Sequence, residues 1–447
     1  MNGNAVETHD VVIVGAGPAG LAAARQLIAR GVTDVVVLER EREAGGIPRH
    51  CHHTGYGLRE FGRLMKGPAF ARRSVAAAER ASIRTGVTVT AVEPGGILQI
   101  ATPSGTGRIR GRRILFALGV RETPRPPRLI SGTRPWGVTT TGALQQFICL
   151  SGLRPFRRAV IIGSELVSFS ALLTMRSGEI ETAAMIEENA RITARRPADL
   201  MARFLLGVPV LTSTRLVSIE GAGQVEGVTI ERDGTQSQIS CDGVVFSGRF
   251  RPESAILQSS HLQIDSGSGG PAVDQYGRCS DPAYFASGNM IHPVETAGRC
   301  YREGLQTGQF IARDLEGRLA PADQVLKIET RGALSYLCPQ VVALPEIGNG
   351  TWSFTARVSR EVRGRISVSA DGSELWSRSI HALPERRITI PSQVILRNDL
   401  KTLTVQLVGA GEKPDGRKPG PLRVDEPDPH RLSLAKKASA FFRRSRS

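Results

Sequence analysis

The stretch from Asp10 to Arg40, DVVIVGAGPAGLAAARQLIARGVTDVVVLER, constrains the fold more than any other part of the chain. Val11 to Val14 is apolar without alternation, as a central parallel strand covered on both faces requires. A glycine turn, an alanine-rich helix and a second apolar strand ending in an acid follow in order. Gly15 permits the tight turn, Gly17 lets a pyrophosphate approach the backbone, and Gly20 lets the helix pack closely on the sheet. Pro18 sits early in the helix, where its missing N–H costs nothing. The helix N-terminus offers unpaired N–H groups and a positive dipole end to a phosphate. Glu39, nineteen residues beyond Gly20, is placed to accept hydrogen bonds from a ribose hydroxyl. A lone glycine fingerprint is weak. Strand, turn, helix, strand and acid in sequence predict a dinucleotide site, with Ala19 and Arg40 among its contacts.

A chain of 447 residues has room for roughly two to four domains. No window approaches about 18 uninterrupted apolar residues, and no basic region followed by an apolar core opens the chain, so a soluble, cytoplasmic protein is expected. Cys51, Cys149, Cys241, Cys279, Cys300 and Cys338 form no CxxC or CxxxxC pair. That spacing argues against a zinc site, a thioredoxin-like couple or a disulfide-reductase redox pair. The net charge of +16 comes from arginine-heavy composition spread through the chain. No nucleic-acid-binding motif accompanies it, and a compositional bias accounts for it as well as an anionic partner does.

After Glu39 the pair Gly45-Gly46 breaks the chain, and a loop follows with Ile47, His50, Cys51, His52, His53 and Tyr56. Three histidines and a cysteine in four positions resemble a metal site, but no second cluster supplies further ligands. A loop wrapped around a cofactor, with Gly46 and Ile47 in contact, fits better. Ala71 to Thr85 reads as a helix ended by Gly86, Val87 to Val92 as a strand, and Gly96 to Leu118 as a hairpin turning at Pro103 to Gly107.

ILFALGVRETPR, ending near Gly119 and Arg121, resembles the second dinucleotide-contact motif of flavoproteins with two dinucleotide-binding domains. The TPR tail and GVTTTGALQ, Gly137 to Gln145, resemble a narrower set: FAD-containing subunits of opine, hydroxyproline and cyanide-forming glycine dehydrogenases. YFASGNMIHPVETAGRCYREG, Tyr284 to Gly304, is similar to the third flavin-contact motif. The resemblance implies FAD, with Gly288, Asn289, Thr296 and Ala297 at its flavin end. Asn289 stands where most flavoproteins of this architecture carry Asp on the ribityl chain. The helix opening at Ala297 would direct its dipole toward the flavin and stabilise the negative charge of its reduced form.

A second fingerprint begins at RAVII, Arg158 to Ile162, followed by GSELVSFSALL. Glu165 and Ser168 replace the expected glycines and only Gly163 remains. A carboxylate at 165 would crowd and repel a pyrophosphate. The fold is expected to survive, and NAD or NADP in the usual pose is not expected. Another nucleotide or a subunit interface could take the cleft. Past Ala320, short strands such as TWSFTARV predict a small antiparallel sandwich. Relatives of the resembled type often end in a cysteine-rich segment for a two-iron cluster, which Cys338 alone cannot supply. The tail from Arg431 groups basic residues around Phe441 and Phe442. It reads as solvated, with contact to a membrane surface or an acidic partner as the alternative.

The expected architecture is α/β: an FAD-binding Rossmann-like domain over 1–145 and 272–322, a degenerate NAD(P)-binding-like domain over 146–271, and a sandwich-like β domain over 328–408. A linker and basic tail occupy 409–447. The expected function is an FAD-dependent oxidoreductase, a dehydrogenase subunit that oxidises an amino acid, opine or hydroxy compound together with a second dehydrogenase subunit. The alternatives are an NAD(P)H-dependent flavin reductase and a non-catalytic or electron-transferring flavoprotein subunit. Candidate residues at the reacting face are His50, Cys51 and His53 from the loop, and His292, Glu295 and Arg299 from the third motif. Histidine can take a substrate proton, and Arg299 can pair with a carboxylate. No metal is expected.

Overall fold

The computed structural model describes residues 6–194, 206–344, 352–384, 386–394 and 400–411. The predicted basic tail and most of the predicted linker lie outside these residues. Strand Glu7–Val14 pairs in parallel with Val35–Glu39 on one side and with Gly105–Phe116 on the other. The apolar run at its end has both faces covered. Val11 and Ile13 pack with Leu21 and Leu27 of helix Pro18–Ala29, while Val12 and Val14 pack into a second cluster with Leu98, Phe116 and Tyr284. Each such side chain contributes about 1.5–3 kcal/mol by leaving water. Alternation would have exposed one of these faces.

The hairpin Ile97–Thr102 and Gly105–Phe116 turns where expected. Tyr284–Ala286 returns late in the chain to pair with the end of Gly105–Phe116. The expected helix Ala71 to Thr85 is a shorter one, Gly67–Ala77, followed by an edge strand, Ser82–Thr85, beside Val35–Glu39. Four residues are too few to show a strand period; tertiary pairing decides their conformation.

The second unit holds a five-stranded parallel sheet in the order Val138–Thr140, Gly243–Phe246, Arg158–Ile162, Glu181–Ile186 and Val210–Leu211. An antiparallel three-stranded meander, Thr214–Glu220, Gly227–Arg232 and Thr235–Ser240, adjoins it, with Ser131–Gly132 at its edge. The segments at 131 and 138 therefore join sheets of the second unit ahead of the crossover expected at residue 146.

Helix Ala297–Leu315 brings the chain back across helix Pro18–Ala29. A β-carbon on Gly304 would collide with the Ala19 carbonyl, and one on Gly308 would stand 2.7 Å from the Ala23 carbonyl oxygen. Two glycines one turn apart thus let the helices touch backbone to backbone, which sets the later helix N-terminus beyond the first glycine turn. The C-terminal strands form a five-stranded and a three-stranded sheet around one core that includes Phe354, Ile366, Ile390, Leu403 and Val405. The sandwich is antiparallel except where Val325–Gly332 runs parallel to Leu403–Gly409.

Candidate functional site: a flavin cleft and a self-filled second cleft

The first glycine turn is built as its residue types demand. Gly15 has φ +105°, and a β-carbon there would stand 2.5 Å from the Ala117 carbonyl oxygen. Gly17 faces open space, with nothing within 4 Å of a β-carbon, while a β-carbon on Gly20 would strike the Gly15 carbonyl. One glycine admits the turn, one leaves room for phosphate, and one closes helix onto sheet. Glu39 is buried at the end of its strand; its carboxylate accepts from Ala16 N at 2.9 Å and Glu41 N at 2.9 Å. Arg40 is exposed beside it.

The following loop returns to this turn. Gly45 N donates to the Ala16 carbonyl at 2.8 Å, and a β-carbon on Gly46 would stand 2.8 Å from Gly17 Cα. Ile47 is 54% exposed. His50 is buried with neither ring nitrogen partnered, and burial lowers its pKa to about 4. The imidazole is therefore neutral. Cys51 reaches Gln145 Oε1 at 3.5 Å; burial pushes its thiol up to about 11, so it is no thiolate nucleophile. His53 is half-buried, with Nδ1 2.9 Å from the Thr54 carbonyl. A carbonyl only accepts, so Nδ1 is the donor in this contact and Nε2 lies outside it.

Gly119 has φ +71° and opens onto free space. Arg121 is engaged in an ion pair, its Nε donating to Glu253 at 2.7 Å. Gly288, with φ +72°, packs against Ala19. The Asn289 side chain closes a ring with the backbone of Glu295, accepting from Glu295 N at 2.8 Å and donating to its carbonyl at 3.1 Å. Thr296 caps the helix that Ala297 opens, accepting from Arg299 N at 3.4 Å. Glu295 is buried among Arg299, Arg357 and Arg387, at 3.8, 3.1 and 3.0 Å. His292 is buried and pairs with Glu303 at 2.9 Å. Burial opposes its charge, but Glu303 and the Cys338 thiol outweigh that and hold its pKa well above the ordinary range.

The second cleft is occupied by the chain itself. Gly163 keeps the turn, with φ +116°, but a β-carbon there would stand 2.7 Å from Glu165 Oε2, and one on Gly248 would collide with the same carboxylate. Glu165 sits at the N-cap of helix Leu166–Ser177, and burial raises its pKa. Ser168 Oγ lies 2.7 Å from Ser247 Oγ, so the small side chain preserves helix packing. Glu187, which follows strand Glu181–Ile186 much as Glu39 ends strand Val35–Glu39, is taken by Ser164 and by Asn189 N at 2.9 Å.

Residues 9–304 match the family described as pyridine nucleotide-disulphide oxidoreductase. The chain belongs to this family. Among its relatives, an opine oxidase subunit of Rhizobium meliloti (strain 1021) is 34% identical over 274 residues, 58% of this chain and 56% of that protein. The chain thus spans about half the length of that relative. A dihydrolipoyl dehydrogenase of Rhizobium etli is 24% identical over 430 residues, 83% of each protein. The thioredoxin reductase of T. acidophilum shares the fold, with a TM-score of 0.59 and 22% identity, covering 69% of this chain and 99% of that one. The chain is an FAD-dependent oxidoreductase.

The first turn fits FAD: the space over Gly17 admits a phosphate, and Glu39 stands at the end of the neighbouring strand. The pyridine nucleotide of the family name does not fit the second turn, where Glu165 fills the corresponding space. Among the described residues no group of three histidine, cysteine or acidic side chains is placed to hold a metal, and no helix is long and apolar enough to cross a membrane.

Three features escaped the sequence reading. Glu122 is buried, accepting from Gly142 N at 2.8 Å and Gly248 N at 3.1 Å. It lies in the RETPR segment, so the motif marked the place but not the role. Gln145, at the end of GVTTTGALQ, holds Cys51. Arg357 and Arg387 come from the sandwich and give no local signal at all, since their partner is 62 residues away or more.

Proposed function

We propose that this chain is the FAD-containing subunit of a multi-subunit dehydrogenase that oxidises an amino acid, opine or hydroxy compound, working in the cytoplasm with a second subunit. The observation that carries the reading is the Glu165 carboxylate in the second nucleotide cleft. It removes NAD(P)H as the natural reductant and leaves the substrate or a partner to supply electrons. The relative named as an opine oxidase subunit supports a place in a multi-subunit enzyme. The absence of a closely spaced cysteine pair argues against disulfide reduction, and the six free thiols suit a reducing compartment.

Bound FAD would supply the hydride acceptor for a carbon that bears an amine or hydroxyl. The chain's residues hold the cofactor, position the substrate and manage its proton. His53 is our candidate base, because its Nε2 is the ring nitrogen outside the Thr54 contact. His50 is too weak a base for that task and serves as a neutral wall; Cys51 remains a thiol. An open groove of about 700 Å³ beside this loop, lined by His52, Arg63, Lys66, Arg72 and Arg73, suits entry of a carboxylate-bearing substrate.

Anaerobic bleaching of the flavin by a panel of amino acids, opines and hydroxy acids tests the reading. Bleaching by one class and not by NAD(P)H supports it. An electron-transferring subunit that docks a separate dehydrogenase is the second reading, favoured by the additional sandwich domain. Bleaching of the isolated chain by a substrate counts against that second reading, and bleaching only with a co-purified partner counts for it.

A further inference from the structure

We propose that the C-terminal sandwich tunes the flavin: Arg357 and Arg387 are positioning residues that neutralise Glu295 and hold the loop in front of helix Ala297–Leu315. This rests on FAD lying with its flavin end at the Gly288–Ala297 segment. Arg357 leaves strand Ser353–Val358 and donates through Nη2 to the Val294 carbonyl at 2.6 Å and to Glu295 Oε1 at 3.1 Å, while Nη1 donates to the Pro384 carbonyl at 3.1 Å. One guanidinium therefore ties the loop to the sandwich. Arg387, which precedes strand Ile388–Pro391, pairs with the other Glu295 oxygen at 3.0 Å.

The charge balance gives this arrangement a consequence beyond structure. Three guanidinium groups surround one carboxylate that is 8% exposed. Two further pairs stand near the helix start among the described residues: Glu60, which packs on Gly298, with Arg302 at 3.2 Å, and His292 with Glu303. The cluster thus presents net positive charge beside a helix N-terminus, both favouring the negative charge that flavin carries when reduced. Without the sandwich arginines, only Arg299 at 3.8 Å would balance Glu295, and the net positive charge would be lost. Its backbone, held at both ends by Asn289, fixes the carboxylate in place.

The test measures the flavin midpoint potential and sulfite affinity of FAD-loaded Arg387→Met, Arg387→Lys, Glu295→Gln and the Glu295→Gln/Arg387→Met double variant. Arg387 is part-exposed and its truncation spares the loop-to-sandwich bonds of Arg357, so the fold should persist; thermal melting checks this. Arg387→Met is expected to lower the potential and weaken sulfite binding by about tenfold, the scale of one unit charge in a partly buried site. Arg387→Lys is expected to restore both, and Glu295→Gln to raise the potential alone and reverse the loss in the double variant. An unchanged potential in Arg387→Met with full FAD content would overturn the proposal, as would a drop that Glu295→Gln leaves untouched. If none of the proteins takes up FAD, the placement of the cofactor fails, and the proposal falls with it.

Discussion

The carboxylate of Glu165 lies on the glycine it should have left bare: a β-carbon on Gly163 would stand 2.7 Å from Glu165 Oε2. In the first unit the corresponding residue is Gly17, open to space. The two turns share a topology and differ in whether the chain leaves room for a phosphate.

Opening the second turn should therefore create affinity that the natural protein lacks. The double variant Glu165→Gly/Ser168→Gly is expected to bind NADH at least about tenfold more tightly than the natural chain, a gain of about 1.4 kcal/mol or more. Isothermal titration reads this directly. Equal, negligible binding by both proteins would show that other groups, such as the engaged Glu187, also close the cleft.

Glu165 also gives stability a pH dependence. Burial raises its folded pKa above the ordinary 4.5. A carboxyl with a raised folded pKa favours the folded state most at low pH, and that contribution is lost as pH rises from 4.5 through the folded value. Glu165→Gln should raise the melting temperature near neutrality and less so at pH values near 4.5. A melting-temperature difference independent of pH would contradict the assignment.

His292 works in the opposite range. Its folded pKa is raised well above 6.5 despite burial, through Glu303 and Cys338. Its stabilising charge is fully present below 6.5 and is lost as pH climbs through the folded value. Breaking a buried pair of this kind costs about 3–5 kcal/mol. Glu303→Gln should lower stability by a sum of that order at pH 6, with a smaller deficit at alkaline pH, measured by denaturant unfolding.

The three glycines of the first fingerprint separate binding from folding. Gly17 has an extended backbone, φ −84° and ψ −174°, that any residue adopts, and nothing would meet its β-carbon. Gly17→Val should fold with a near-natural melting temperature and lose FAD affinity by at least about tenfold, 1.4 kcal/mol. Gly20→Val, whose β-carbon would meet the Gly15 carbonyl and stand 3.2 Å from Ile13 Cγ2, should be destabilised instead. Comparable FAD content in natural and Gly17→Val protein would place the cofactor elsewhere.

These contrasts also mark what the sequence makes legible. GAGPAG, Glu39 and the apolar run at Val11 announce themselves because turn chemistry and period are local properties. Glu165 was readable as a misfit, since a carboxylate in a glycine's place has one physical meaning. Ser82–Thr85 was not, because its strand state comes from pairing with Val35–Glu39. Nor were Arg357 and Arg387, whose meaning arises only when the sandwich meets Glu295. The histidines of the first loop were visible as chemistry, but only burial separates the neutral His50 from the half-buried His53.

The most direct test of a filled first cleft and a plugged second one is the visible absorbance band of the FAD-loaded protein, followed anaerobically after addition of excess NADH. The band is predicted to be present at one FAD per chain and to remain oxidised. A colourless protein that takes up no FAD, or a flavin bleached rapidly by NADH, would contradict the account.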